Sequence, residues 1–144
     1  MAAVKPLVVD ASAALAWVRQ AQAGARSEAF LARLTSYRLI APEVFAWEVG
    51  NLLQLWAVRR SINLDDTLRE LHGLRITILP PRLSGHIYEL TAFASSVGLT
   101  LFDAAYLALA IESGGELVSR DRALLTVARA SAIPCHDISE PSLS

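Results

Sequence analysis

Short β-rich runs alternating with longer helical stretches predict an α/β fold, with a mostly parallel sheet covered by helices on both faces. Two observations carry this. The alternation continues along all 144 residues, and no linker, repeat or low-complexity segment interrupts it. Composition agrees: 53% of residues are apolar and 19% charged, which suits a packed core and excludes disorder. The length predicts one domain, residues 1–144.

The elements follow in order. Leu7–Val9 reads as a buried strand, and Ser12 to Arg19 as the helix after it. A second helix covers about Arg26 to Leu34. Leu39–Ala41 is a brief strand that stops at Pro42. Pro42 and Glu43 open a long helix to about Arg60, with proline in the first turn and an acid behind it. Asp65 and Asp66 begin a helix ending near Gly73. Arg75–Leu79 alternates as a strand before Pro80-Pro81. Helices follow at Ser84–Ser96 and Leu101–Glu112, the second stopped by Gly114-Gly115. Glu116–Ser119 is a strand, Arg122–Ala130 a helix and Ile133–Cys135 a last strand.

Cys135 is the single cysteine, so no intrachain disulfide forms and a reducing compartment is expected. The apolar run near the N-terminus is too short for a signal peptide. Leu99 to Ile111 is broken by Asp103 and falls short of the ~20 residues a membrane span needs. A cytoplasmic protein without a membrane partner is therefore expected. The sequence has no dinucleotide-binding glycine motif, P-loop, serine elbow or Cys–His pair.

Chemistry concentrates in four acids: Asp10, Glu48, Asp103 and Asp121. They interrupt or end apolar stretches: L-V-V-D-A-S, V-F-A-W-E-V-G-N-L-L, L-T-L-F-D-A-A-Y-L-A-L-A and L-V-S-R-D. Acidic side chains are almost never fully buried unless paired, hydrogen-bonded or holding a cation. Lys5 is the only lysine, and no Cys or His adjoins any of the four. An oxygen-only set drawn from distant segments suits a hard cation, Mg²⁺ or Mn²⁺. Parallel sheets gather ligands at the carboxyl ends of their strands, which is where Asp10 and Asp121 fall. Neutralising the four acids would take the net charge from −1 to +3. With 12 arginines in the chain, a modest basic rim for phosphate is then available.

Each acid has a plainer reading. Asp10, Asp103 and Asp121 precede helices and could be N-caps, although Ser12 competes with Asp10 and Thr100 with Asp103. Glu48 lies inside its helix, where no cap explains it. With Asn51 and Gln54 it forms a polar stripe that faces either a polar site or the solvent edge. Glu43 is explained by the helix dipole. Asp65, Asp66, Glu28, Glu70 and Glu89 fit solvated faces. His72, His86 and His136 share no metal-ligand spacing and read as structural or surface residues. Ser12 and Ser119 are candidates to hold a carboxylate or a phosphate, or serve turn and cap duties; Asn51 is a candidate of the same kind, and Arg120 could steer phosphate or be a solvated helix start. Arg122 could also steer phosphate, or be a solvated helix start. Trp17, Trp47 and Trp56 read as core or interface anchors.

The segments V-V-D-A-S-A-A-L-A-W, W-E-V-G-N-L-L, F-D-A-A-Y-L-A-L-A and L-V-S-R-D-R-A-L run in order from about Leu7 to Ile133. Together they resemble the PIN-domain family and, within it, the VapC-type toxins of bacterial type II toxin–antitoxin pairs. The resemblance implies a three-layer α/β/α sandwich around a central, mostly parallel sheet, commonly as a homodimer. It implies a ribonuclease whose metal site is formed by Asp10, Glu48, Asp103 and Asp121. Ser119 stands where the family often has Thr and keeps the hydroxyl. Asp10 and Asp103 are the expected direct ligands. Glu48 and Asp121 would act partly through metal-bound water, Asp121 also orienting the nucleophile. RNA is the implied substrate, and a cognate antitoxin covering a hydrophobic groove and the active site is the implied partner. Two other readings are a catalytically silent PIN-like module that binds RNA or a partner, and a phosphoacceptor receiver domain. The receiver requires a lysine near its last strands, and Lys5 precedes the first.

Overall fold

The computed structural model describes residues 4–18, 24–80 and 87–139. Five strands, β1 (Lys5–Val9), β2 (Tyr37–Ala41), β3 (Thr77–Ile78), β4 (Glu116–Ser119) and β5 (Cys135–Asp137), form one sheet. Its order is β3-β2-β1-β4-β5, and every pair is parallel. Seven α-helices occur among the described residues: α1 (Ala11–Val18), α2 (Ala25–Leu31), α3 (Val44–Val58), α4 (Leu64–Gly73), α5 (Ile87–Val97), α6 (Leu101–Ser113) and α7 (Arg122–Ala130). Right-handed crossovers in this strand order put α1–α4 on one face and α5–α7 on the other. Accordingly α1 packs on α2, α3 and α4, while α6 packs on α5 and α7. The three-layer α/β/α sandwich is the observed architecture.

Burial explains the uninterrupted apolar runs. Leu7, Val8, Val9, Leu117 and Val118 are fully buried because both sheet faces are covered. In α6, Ala104 to Ala110 are buried throughout, and the run of alanines lets this helix lie close on β1 and β4. Gly114 caps α6 in the left-handed conformation, φ 64°. The next residue must also be glycine, since a Cβ on Gly115 would lie 2.8 Å from the Pro6 carbonyl oxygen. Among the described residues no single helix is long and apolar enough to cross a membrane.

Several boundaries differ from the sequence reading. The first helix begins at Ala11, not Ser12, and its expected end at Arg19 lies outside the described residues, as do Pro81, Ser84 and His86. The second helix stops at Leu31 and gives way to a 3-10 turn, Leu34–Ser36. The long helix ends at Val58, because Arg60 takes a positive φ of 55°. Arg75 does the same, which shortens the expected Arg75–Leu79 strand to Thr77–Ile78. The last strand is displaced to Cys135–Asp137. Ile133 instead closes α7, donating to the Ala128 carbonyl at 3.0 Å after Ala132 turns at φ 61°.

The tryptophans divide. Trp56 is buried, and Trp17 is half-buried with its Nε1–H on the Ser27 carbonyl at 3.1 Å. Trp47 is 81% exposed and no part of the core: one residue before Glu48, it falls on the outer side of α3.

Candidate active site

The strand order reverses about β1: β2 and β3 lie on one side, β4 and β5 on the other. Connections leaving β1 and β4 therefore diverge and open a crevice at their carboxyl ends. Asp10 directly follows β1, and Asp121 stands two residues after β4.

Asp10 is 4% exposed and fully engaged. Its Oδ1 accepts from Ser12 Oγ at 2.7 Å and from the Ala13 N–H at 2.9 Å, so Asp10 caps α1. Its Oδ2 accepts from Ser119 Oγ at 2.5 Å. Both serines have a second duty: Ser119 Oγ accepts the Asp121 N–H at 2.8 Å, and Ser12 Oγ accepts the Arg120 N–H at 2.9 Å. Each hydroxyl spends its proton on Asp10 and a lone pair on the loop after β4. This network clips the two strand ends together. Ser12 is thus not the cap of α1 but a tether between loops, and Arg120 joins the network through its backbone.

The other acids arrive from other elements. Thr100 caps α6 by accepting the Asp103 N–H at 3.2 Å, which leaves Asp103 in the first turn, half-buried. Asp121 caps α7 through one oxygen, Oδ1, which accepts from Ala123 N–H at 2.9 Å and Leu124 N–H at 3.3 Å. Glu48 projects from the second turn of α3 and accepts the Tyr106 hydroxyl on Oε1 at 2.6 Å. Asn51 and Gln54, further along its stripe, are exposed, so the stripe leads out to solvent.

The charges act on one another. Burial pushes the Asp10 carboxyl up to about 6, against the hydrogen bonds from Ser119, Ser12 and Ala13, and Asp121 adds to the rise. Asp103 is also raised, by burial first and then by Asp121, with Glu48 adding to it and Thr100 opposing. Tyr106, 1% exposed, is pushed above the usual phenol range by burial and by its bond to Glu48, so it remains a protonated donor. Asp121 thus acts on both Asp10 and Asp103, and Glu48 acts on Asp103. Among the described residues no three of them converge closely enough to cage an ion as they stand. The donor set fits a divalent cation all the same. It is oxygen-only and mutually repelling, and the charges that reach Asp103 are carboxylates.

Two buried polar groups escaped the sequence reading. Tyr106 is one; its signal was the D-A-A-Y spacing, which puts a polar tip on the same helix face as Asp103. Glu116 is the other: a buried carboxylate that takes Lys5 Nζ at 3.1 Å, Tyr37 OH at 3.0 Å and His136 Nε2 at 2.6 Å. Burial opposes the charge there, but these bonds hold Glu116 below its ordinary value. They lie at the amino ends of the strands, opposite the four acids, so the one lysine is engaged far from the crevice.

The PIN domain family matches residues 7–130, a span that contains all four acids. The chain belongs to the PIN domain family. Its members are typically nucleases that act on nucleic acid and generally use divalent metals, and the four segments quoted above lie wholly within the match. Among solved structures, PAE2754 from Pyrobaculum aerophilum is similar at 25% identity and a TM-score of 0.68, covering 94% of this chain and 85% of that one. FitAcB from Neisseria gonorrhoeae shares the fold at 15% identity and a TM-score of 0.62, covering 92% and 97%. No curated protein matches the sequence.

Proposed function

We propose that this PIN domain is a metal-dependent ribonuclease acting as the toxin of a toxin–antitoxin pair. One observation supports the nuclease reading: at the switch point of the sheet the charge of Asp121 raises the proton affinity of both Asp10 and Asp103, and Glu48 adds to the rise at Asp103. Asp10, Glu48, Asp103 and Asp121 would hold Mg²⁺ or Mn²⁺. The chemistry such an ion supplies is acidification of a water nucleophile and polarisation of the scissile phosphate. The chain's own part is placement. Ser12 and Ser119 lock Asp10 across the two loops, and Asp121, fixed by the α7 backbone through one oxygen, keeps the other to orient a nucleophile. Asn51 and Arg120 are the nearby candidates for phosphate contact.

The toxin assignment rests on the VapC-type segments. A groove of about 780 Å³ between α3, α4 and β3, lined by Phe45, Val49, Leu53, Leu68, Leu71 and Ile76, offers the apolar surface an antitoxin would cover. Exposed Trp47 and Val58 on α3 would suit a homodimer contact. Engagement of Lys5 with Glu116 argues against the receiver reading, which needs that lysine at the acids.

The test is cleavage of RNA by dialysed protein. Mg²⁺ or Mn²⁺ should be required and EDTA should abolish turnover, while Ca²⁺ binds without supporting it. Cleavage that persists in EDTA overturns the metal mechanism. Metal binding with no cleavage of any RNA favours the silent binding module.

A further inference from the structure

We infer that Tyr106 is the positioning residue for Glu48, holding one carboxylate oxygen so that the other is presented singly to a divalent cation. The inference rests on the metal-site reading above and concerns how this chain prepares that site.

The argument begins with where each acid sits. Asp10 and Asp121 stand at helix N-termini, where backbone N–H groups are unpaired and can orient a carboxylate. Ala13 does so for Asp10, and Ala123 and Leu124 do so for Asp121. Glu48 lies within α3, where the backbone donors are committed to the helix ladder. Its carboxylate is also on a longer side chain, with one more torsion to fix. A mid-helix glutamate must be oriented by a side-chain donor, and on α3 itself Asn51 and Gln54 lie out at the solvent end of the stripe.

Tyr106 is that donor. It is buried in α6, one turn after Asp103, and reaches Glu48 Oε1 at 2.6 Å. A phenol has a single proton, and a carboxylate oxygen can only accept, so that proton points at Glu48. One hydroxyl thus connects the helices bearing Glu48 and Asp103. With Oε1 occupied, Glu48 has Oε2 for an ion. Monodentate oxygens suit the compact octahedral shell of Mg²⁺ or Mn²⁺ better than the larger, often bidentate shell of Ca²⁺.

The experiment is a double-mutant cycle read by Mn²⁺ binding to dialysed protein without RNA, using the electron paramagnetic resonance signal of free Mn²⁺. Tyr106→Phe keeps the ring and removes one oxygen. It should weaken Mn²⁺ binding roughly tenfold, as loss of an outer hydrogen bond to a metal ligand generally does. In the Glu48→Gln background the same change should cost little further, because its partner charge is gone. Unchanged affinity in Tyr106→Phe, or a loss that is fully additive, overturns the inference. Wild-type protein that binds no Mn²⁺ overturns the metal-site reading instead, so the two failures are distinct. Should Tyr106→Phe fail to fold, 3-fluorotyrosine at position 106 supplies the readout. Its fluorine resonance should shift on Mg²⁺ addition and stay put in Glu48→Gln; a resonance indifferent to Mg²⁺ while the ion binds refutes the role.

Discussion

Asp10→Asn should stabilise the metal-free protein at neutral pH while removing its nuclease activity. Asp10 is almost inaccessible, and burial lifts its carboxyl from 3.8 to about 6. For an acid the sign is direct: a raised folded value means that the fold favours the proton. The favourable contribution is complete below about pH 4 and is lost as pH rises through about 6. The loss amounts to about 3 kcal/mol.

Asparagine removes that penalty, provided the hydrogen bonds survive. They can. The Ala13 N–H must donate, so the amide oxygen stays on the Ser12–Ala13 side, and the amide NH₂ faces Ser119. The Ser119 hydroxyl then accepts on the lone pair that the Asp121 N–H leaves free, and its own proton loses Asp10 as acceptor, which sets the full penalty as an upper bound on the gain. In EDTA at pH 7.5 the variant should gain up to about 3 kcal/mol, roughly 10 °C in Tm, and the gain should vanish towards pH 4. Urea denaturation of both proteins across that range measures it. A variant less stable than wild type at pH 7.5, or a gap that ignores pH, would show that the Asp10 network is structural and that its charge is not the cost.

Two paired substitutions probe the other acids. Glu48→Gln should lower cleavage by orders of magnitude and keep the fold, whereas Glu43→Gln, exposed at the start of α3 with no capping bond, should cost at most about 1 kcal/mol and little activity; equal losses would place the ligand on the wrong glutamate. Asp121→Asn should keep the α7 cap and lose activity, while Asp121→Ala should also cost about 1 kcal/mol of stability by denaturant melt. Retained turnover in Asp121→Asn would reduce this residue to its cap.

Sequence alone determined the class of fold and the short list of acids. Parallel strands buried on both faces must be continuous apolar runs, and helices between them show their own period, so both are written locally. A carboxylate in an apolar run is conspicuous for the same reason. The tertiary structure decided what joins across the chain. Ser119 reaches Asp10 over 109 positions, Tyr106 reaches Glu48 over 58 and Tyr37 reaches Glu116 over 79. None of these pairs has a local period, since each depends on which strand lies beside which. The exposure of Trp47 and the displaced last strand were hidden for a related reason. A side chain two positions from core residues such as Phe45 and Val49 turns outward on a helix, and a single positive φ moves a strand start, and neither leaves a mark in composition. Local propensity names the candidates; the strand order β3-β2-β1-β4-β5 brings them to one edge of the sheet.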